Sequence, residues 1–259
     1  MYLMKRAIAF IVCALMMLNT VVYADCRVIT LMYHNVTTDA SRWDDWCVSP
    51  EQLEEDINYF KEHGYIPITA SELATEDMEN LDGRKILLLT FDDGYVGWYN
   101  EVFPILERTG TKATMFIVGS YIGRYGYLGE EQLNEIANSG LVEIGNHTNY
   151  IHQMPLEALK TMYENGRYDE IAEDIKGNGE LIEKITGKEV TSIAWPYGYA
   201  SEGLDKYVKS ELGYKISFGT EYGVNVYNGD TSYLFNRINR RHIKTPYEIL
   251  SSAEARFNR

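Results

Sequence analysis

Two adjacent carboxylates, Asp92 and Asp93, close the stretch Thr90-Phe91-Asp92-Asp93-Gly94 directly after the apolar run Ile86-Leu87-Leu88-Leu89. A run that short reads as one buried strand. Both acids then fall at a strand's C-terminal end, the edge where loops converge on a ligand in sheets of parallel strands. Successive side chains on a strand point to opposite faces, so one acid can hold a metal while the other works as a base. Further along, His147 and His152 share one loop in a chain with five histidines. Two imidazoles and a carboxylate make the three protein ligands of a catalytic metal site that keeps an open position for water. That donor set suits zinc, and cobalt, nickel or iron share its ligand types. For the tripeptide alone, the alternative is a turn that merely ends a strand.

These groups need elements to position them. Val28 to His34 reads as a first strand ending in histidine, and Lys112–Val118, Val142–Asn146, Val190–Trp195 and Tyr214–Phe218 read as further buried strands. Helical patterns lie between them. Ser49-Pro50-Glu51 starts one that Gly64 stops, Ser71 opens a brief one, and others cover Tyr99–Thr109, Glu130–Ser139 and Ser201–Leu212. Tyr168–Ile185 is also helical, although Gly177 and Gly179 weaken it by about 1 kcal/mol each. From Gly219 to Asn236 the pattern is lost; Phe235–Asn239 is a weak strand signal, and a last helix starts at Pro246. Alternating strands and helices imply α/β architecture with a parallel sheet, closed or open. Asp92-Asp93, His147, Trp195-Pro196-Tyr197 and His34 would then surround one rim.

Lys5 and Arg6, the apolar run Ala7–Leu18 and Val22-Tyr23-Ala24 read as a signal peptide over residues 1–24, with an uncleaved anchor as the alternative. The mature chain would begin near Asp25, form one domain over residues 25–259, be secreted or lie at the cell surface or in the periplasm, and keep no membrane span. Without the leader, 22 basic residues face 38 acidic ones, a charge of about −16. Nucleic acid is a poor partner for such a surface. Cys13 leaves with the leader, and Cys26 and Cys47 remain as a disulfide candidate for an oxidising compartment.

Thr90-Phe91-Asp92-Asp93-Gly94, His147-Thr148 with His152, and Pro196-Tyr197-Gly198 resemble the first three motifs of the polysaccharide deacetylases, the NodB-homology group of carbohydrate esterase family four. The similarity runs from about Val28 to Phe218 and leans towards the poly-N-acetylglucosamine deacetylase branch. It implies a distorted (β/α)7 barrel with the site at the C-terminal rim of its strands. It also implies a divalent metal, zinc first among them, on Asp93, His147 and His152, with Asp92 as general base. The substrate implied is an N-acetylated polysaccharide, with peptidoglycan and O-acetylated xylan as alternatives. The Tyr197 N–H would meet the oxyanion, and Trp195, Tyr197 and Tyr199 could stack on sugar faces around Pro196.

The sequence departs from the commonest family pattern in three places. The second histidine follows the first by five positions rather than four. Ala194 replaces an arginine that orients the catalytic aspartate, and Arg237 is the candidate to take over, a surface ion pair being its alternative. No Asp-x-x-Asp-Trp segment follows Phe218, and no Leu-x-His motif follows either. Leu31-Met32-Tyr33-His34 looks like that last motif moved to the front, which makes His34 the candidate general acid and His242 its rival. The losses leave a second reading open, a carbohydrate-binding protein on the same fold without turnover.

Overall fold

The computed structural model describes residues 25–258; the expected signal peptide lies outside the described residues. Twelve strands occur among them: β1 (Cys26–Tyr33), β2 (Asn35–Val36), β3 (Cys47–Val48), β4 (Tyr65–Pro67), β5 (Lys85–Asp93), β6 (Ala113–Ile117), β7 (Val142–Asn146), β8 (Ser192–Ala194), β9 (Ile216–Phe218), β10 (Asn225–Tyr227), β11 (Leu234–Phe235) and β12 (Ile238–Asn239). The order β1-β5-β6-β7-β8-β9 is parallel throughout. Closure comes from one segment, Leu234–Asn239. Its first half, β11, runs parallel to β9, and its second half, β12, runs parallel to β1. Asn236 and Arg237 interrupt it, so the seventh stave of the barrel is two short ladders.

The sheet is distorted where edges are shared. Along β5, one edge takes β4 at Lys85–Leu87 and β6 at Thr90–Asp93. Along β1, one edge takes antiparallel β10 at Cys26–Val28 and β12 at Leu31–Met32. Alternation along the strands divides the core. Val28, Ile86, Leu88, Phe116, Phe218 and Phe235 fill one cluster, while Ile29, Leu31, Leu87, Leu89, Phe91 and Met115 pack in another with residues of the helices. Both faces are covered, which is why the strands read as unbroken apolar runs.

Helices occupy Pro50–Glu62, Ala70–Thr75, Phe103–Thr109, Glu130–Asn138, Leu156–Glu164, Tyr168–Thr186, Glu202–Leu212 and Pro246–Phe257. The first begins with the expected cap: Ser49 Oγ accepts from Gln52 N–H and Gln52 Oε1 accepts from Ser49 N–H. Tyr168–Thr186 runs unbroken through both glycines. A Cβ on Gly179 would lie 3.1 Å from the Tyr214 hydroxyl, so the close packing there offsets the lost propensity. The helix Leu156–Glu164 and strand β10 were not legible as elements, because short segments with mixed polarity carry little periodic signal.

The disulfide expectation is corrected by the topology. Cys26 starts β1, whereas Cys47 pairs in register with Asn35, beyond the far end of the same strand. The eight residues of β1 alone rise about 23 Å at ~3.3 Å per residue, and a disulfide needs Cα atoms within roughly 7 Å. Both cysteines are free and buried, and burial pushes the Cys26 thiol up to about 11. The chain from Asp25 onward should therefore show two titratable thiols after denaturation without reductant, and a count of zero would contradict this fold.

Candidate active site

Asp92 shares the interior-facing parity of Ile86, Leu88 and Thr90 on β5, so its carboxylate enters the barrel from the top and is only 2 % exposed. Arg237 meets it from the closing segment. Its Nη1 and Nη2 donate to Asp92 Oδ1 and Oδ2, each at 2.7 Å, and its Nε donates to the Gly219 carbonyl at 2.7 Å. The guanidinium is fully buried and lies over the Phe116 ring. Arg237 thus occupies the orienting position that Ala194 cannot fill, and the surface alternative is excluded by its burial. Burial pushes the Asp92 carboxyl up, but the Arg237 charge, joined in acid by that of His147, outweighs it and holds it down at about 2.

Asp93 would face away from Asp92 on a regular strand. Its φ of +85° breaks the alternation, and Oδ1 comes to 3.2 Å from His152 Nε2 and 3.6 Å from His147 Nε2. His147, at the end of β7, donates Nδ1–H to the Ala194 carbonyl at 2.7 Å. That bond fixes the tautomer and leaves Nε2 as a lone-pair donor. Burial also pushes His147 down to about 4, against the pull of Asp92, so the ring is neutral at pH 7. One donor atom each from Asp93, His147 and His152 lies within 4.8 Å of the others. A carboxylate and two imidazole nitrogens converging on one point fit a divalent cation. Asp92 borders the cluster, its Oδ2 being 3.9 Å from His147 Nε2.

Backbone strain concentrates here. Asp93, Thr148 and Tyr197 are the non-glycine residues with positive φ among those described, and each belongs to a different one of the three motifs. Tyr197, at φ +57°, turns the chain off β8, and its exposed ring lies nearly parallel to His152 at 6.2 Å. Gly198 must be glycine, since a Cβ there would fall 2.4 Å from the Thr220 amide nitrogen. Trp195 requires a correction. It is fully buried and its indole N–H donates to Asp205 at 2.8 Å, so its ring cannot stack on a sugar. Pro196 is buried as well, and Tyr199 packs its ring against Tyr163 at 5.1 Å.

His34 follows β1 onto the same rim, near enough to interact electrostatically with both Asp92 and Asp93. Its Nδ1 is buried without a partner, and its ring meets Trp46 edge-on at 4.8 Å. His242 instead bonds Gln52 through Nδ1 at 2.7 Å and packs on Trp43.

Sequence reading missed the residues that hold the metal loop. Asp174 accepts three successive backbone N–H groups from the turn between the histidines: Asn149 and Tyr150 at 2.7 and 2.8 Å, and Ile151 at 3.2 Å. One turn later Asn178 donates to the Ile117 carbonyl and to Asn146 Oδ1, which itself accepts from Thr148 N–H. Asp174 and Asn178 stand four apart beside Ile171, Ile175 and Ile182. Polar groups interrupting an apolar helix stripe were the available signal. Tyr121 Oη stands 3.4 Å from His152 Nδ1 on the other side of the loop.

Such a barrel, with a cation-binding triad beside an ionised carboxylate at its C-terminal rim, is a scaffold for hydrolytic chemistry. Residues 80–217 match the profile of the family described as polysaccharide deacetylase, and the chain belongs to that family. The chain is 32 % identical to the Bacillus subtilis protein YxkH over 196 residues, 74 % of this chain and 64 % of that protein. It is 26 % identical over 230 residues to the poly-beta-1,6-N-acetyl-D-glucosamine N-deacetylase of Escherichia coli, covering 76 % of this chain and 34 % of that one. The chain therefore spans less than two thirds of these relatives. In fold it resembles IcaB from Ammonifex degensii, with a TM-score of 0.73 over 89 % of this chain and 97 % of that one, at 24 % identity.

Two measurements probe this geometry. Asp92 titrates at about 2 in the fold, below the ordinary ~3.9 of an aspartate. The pair's contribution is therefore complete above pH ~4 and is lost as pH falls towards 2. Arg237→Ala, which strands a buried carboxylate, should cost roughly 3–5 kcal/mol at pH 7 in urea denaturation. That gap should narrow as the pH is lowered from 4 to 2; a constant gap would contradict the pairing. Asp174→Ala should weaken divalent-metal affinity roughly 10- to 100-fold by chelator competition, and unchanged affinity would show that the loop holds its shape without it.

Proposed function

We propose that this chain is a secreted, metal-dependent deacetylase that hydrolyses the N-acetyl group of N-acetylglucosamine units in a polysaccharide and releases acetate. The observation that carries the reading is the ionised Asp92, locked on Arg237 and bordering the Asp93, His147, His152 triad. A protein that only binds glycans has no use for a base held beside a metal site. The binder reading drew on Ala194 and on the missing Asp-x-x-Asp-Trp segment, and Arg237 supplies the lost orientation from the break between β11 and β12.

A carboxylate held near pH 2 is a weak base. It can take a proton only from a donor far more acidic than free water, which is the chemistry a divalent cation on Asp93, His147 and His152 supplies. Zinc suits those ligands. Asp92 removes one proton from the attacking water while Arg237 keeps its two oxygens in place. The water oxygen bonds to the acetamide carbon, and the Tyr197 N–H donates to the oxyanion that forms. His34 then gives a proton to the nitrogen as the C–N bond breaks, leaving acetate and the free amine.

The substrate reading is supported by the name of the Escherichia coli relative, and the export reading by the character of residues 1–24. Among the described residues no helix is long and apolar enough to cross a membrane. Acetate release from β-linked N-acetylglucosamine oligomers, abolished by chelator and restored by zinc, tests the reading; metal-loaded protein that releases none from any linkage overturns it. Asp92→Asn should abolish turnover while metal affinity stays. His34→Ala should lower kcat by roughly 10²–10⁴-fold and His242→Ala should do little; the reverse pattern would move the acid to His242.

A further inference from the structure

The dipeptide Asn-Gly occurs at Asn165-Gly166, Asn178-Gly179 and Asn228-Gly229. Its backbone nitrogen, which no glycine side chain shields, can attack the asparagine side-chain carbonyl and close a five-membered ring. The attack needs a nitrogen that is open to water and not held in a hydrogen bond, and a side chain able to fold onto it. The fold meets these conditions at one of the three places. Asn178 is fully buried in the helix Tyr168–Thr186, and its side-chain amide donates to the Ile117 carbonyl and to Asn146 Oδ1, each at 2.9 Å. Asn165 is exposed, but it ends the helix Leu156–Glu164 in a closed turn. There Gly166 N–H donates to the Tyr163 carbonyl at 3.1 Å and Arg167 N–H to the Met162 carbonyl at 3.0 Å.

Asn228, Gly229 and Asp230 are all exposed at the start of the connection between β10 and β11. Among the described residues the Gly229 N–H has no hydrogen-bond partner. A groove of about 1000 Å³ along the helix Glu202–Leu212 opens onto Gly229 and Asp230 and admits water. The Asn228 side chain is already folded over the Gly229 peptide, because its Oδ1 accepts from the Asp230 N–H at 3.2 Å. That donor sits on the oxygen where negative charge develops during attack. The φ of Gly229, +92°, is one that favours glycine. Beyond this tip the loop is held. Lys209 Nζ donates to the Thr231 carbonyl at 2.6 Å and pairs at 2.8 Å with Asp205, the residue that accepts from the Trp195 indole.

We propose that Asn228 is a site of self-modification, in which the folded protein converts it to aspartate and isoaspartate while sparing Asn165 and Asn178. The Gly229 nitrogen gives its proton to water and bonds to Asn228 Cγ. The Cγ–Nδ2 bond breaks, and Nδ2 takes up a proton and leaves as ammonia. Water then opens the ring at either carbonyl. Opening at the main-chain carbonyl leaves isoaspartate, whose backbone runs through the former side chain; opening at Cγ leaves aspartate. Water is the only co-reactant, no group is oxidised or reduced, and the product carries one added negative charge. The inference stands apart from the deacetylase reading, since it uses no residue of the metal site.

The test is a time course of the full chain in mildly alkaline buffer, native and urea-unfolded in parallel, followed by peptide mass mapping. In the native protein the peptide carrying Asn228 should gain about 1 Da, with isoaspartate among its products and ammonia released in step. The peptides carrying Asn165 and Asn178 should react at least about tenfold more slowly, because each must first open locally. In the unfolded chain the three should react at similar rates, which shows that the fold and not the dipeptide makes the choice. Asn228→Gln, an exposed replacement, should remove the main native product and leave the other two peptides unchanged. Native protein in which Asn165 or Asn178 reacts as fast as Asn228 overturns the proposal. So does a native Asn228 that stays intact while the unfolded chain is modified.

Discussion

The pair between Asp92 and Arg237 is the interaction on which the site depends. Two charges removed from water are expensive to bury, and such pairs are seldom the cheapest way to stabilise a core. This one is retained at a position where its geometry sets chemistry: a bidentate fork holds both carboxylate oxygens, and the charge keeps Asp92 ionised inside the barrel. The arginine reaches that point from the stave between β9 and β1, at the break between β11 and β12.

A second buried pair braces the same segment from the opposite side. Arg240, three residues on, donates through Nε to Asp56 of the helix Pro50–Glu62, and Tyr33 of β1 donates to the same oxygen at 2.7 Å. The first pair ties the closing stave to β5, and the second ties it to the surrounding helix and to β1. Short ladders of two residues carry few hydrogen bonds, so these contacts supply much of the register there. The metal loop shows the same economy. Asp174 satisfies three amides with one carboxylate, and the strained residues Asp93, Thr148 and Tyr197 are held where ligands and donors must face inwards.

How much of this was legible follows from what each residue signals locally. The buried strands announce themselves as apolar runs, and Asp92-Asp93 and His147 stand at their ends, so the rim was readable from order alone, whereas the family resemblance was needed to put Asp93 rather than Asp92 with His147 and His152. His34 was readable for the same reason. Arg237 was visible only as a candidate, because its meaning lies in a contact across the barrel with a residue 145 positions away. Asp174 gave a weak sign as a polar interruption of an apolar stripe. Trp195 misled, since a tryptophan beside a site motif reads equally as a sugar platform or as core, and burial alone decides. Cys26 and Cys47 misled because their number suggested a bond, whereas only the topology shows that Cys47, in β3, lies beyond the far end of the strand that Cys26 begins.

The central claim is a division of labour between neighbouring carboxylates, with Asp93 on the metal and Asp92 on Arg237. Anomalous diffraction from crystals soaked with zinc tests it most directly. The account predicts a single strong peak bonded to an Asp93 oxygen, His147 Nε2 and His152 Nε2, with Asp92 outside the coordination sphere and still paired with Arg237. A peak bonded to Asp92 in place of Asp93, or no peak at the triad, would contradict it.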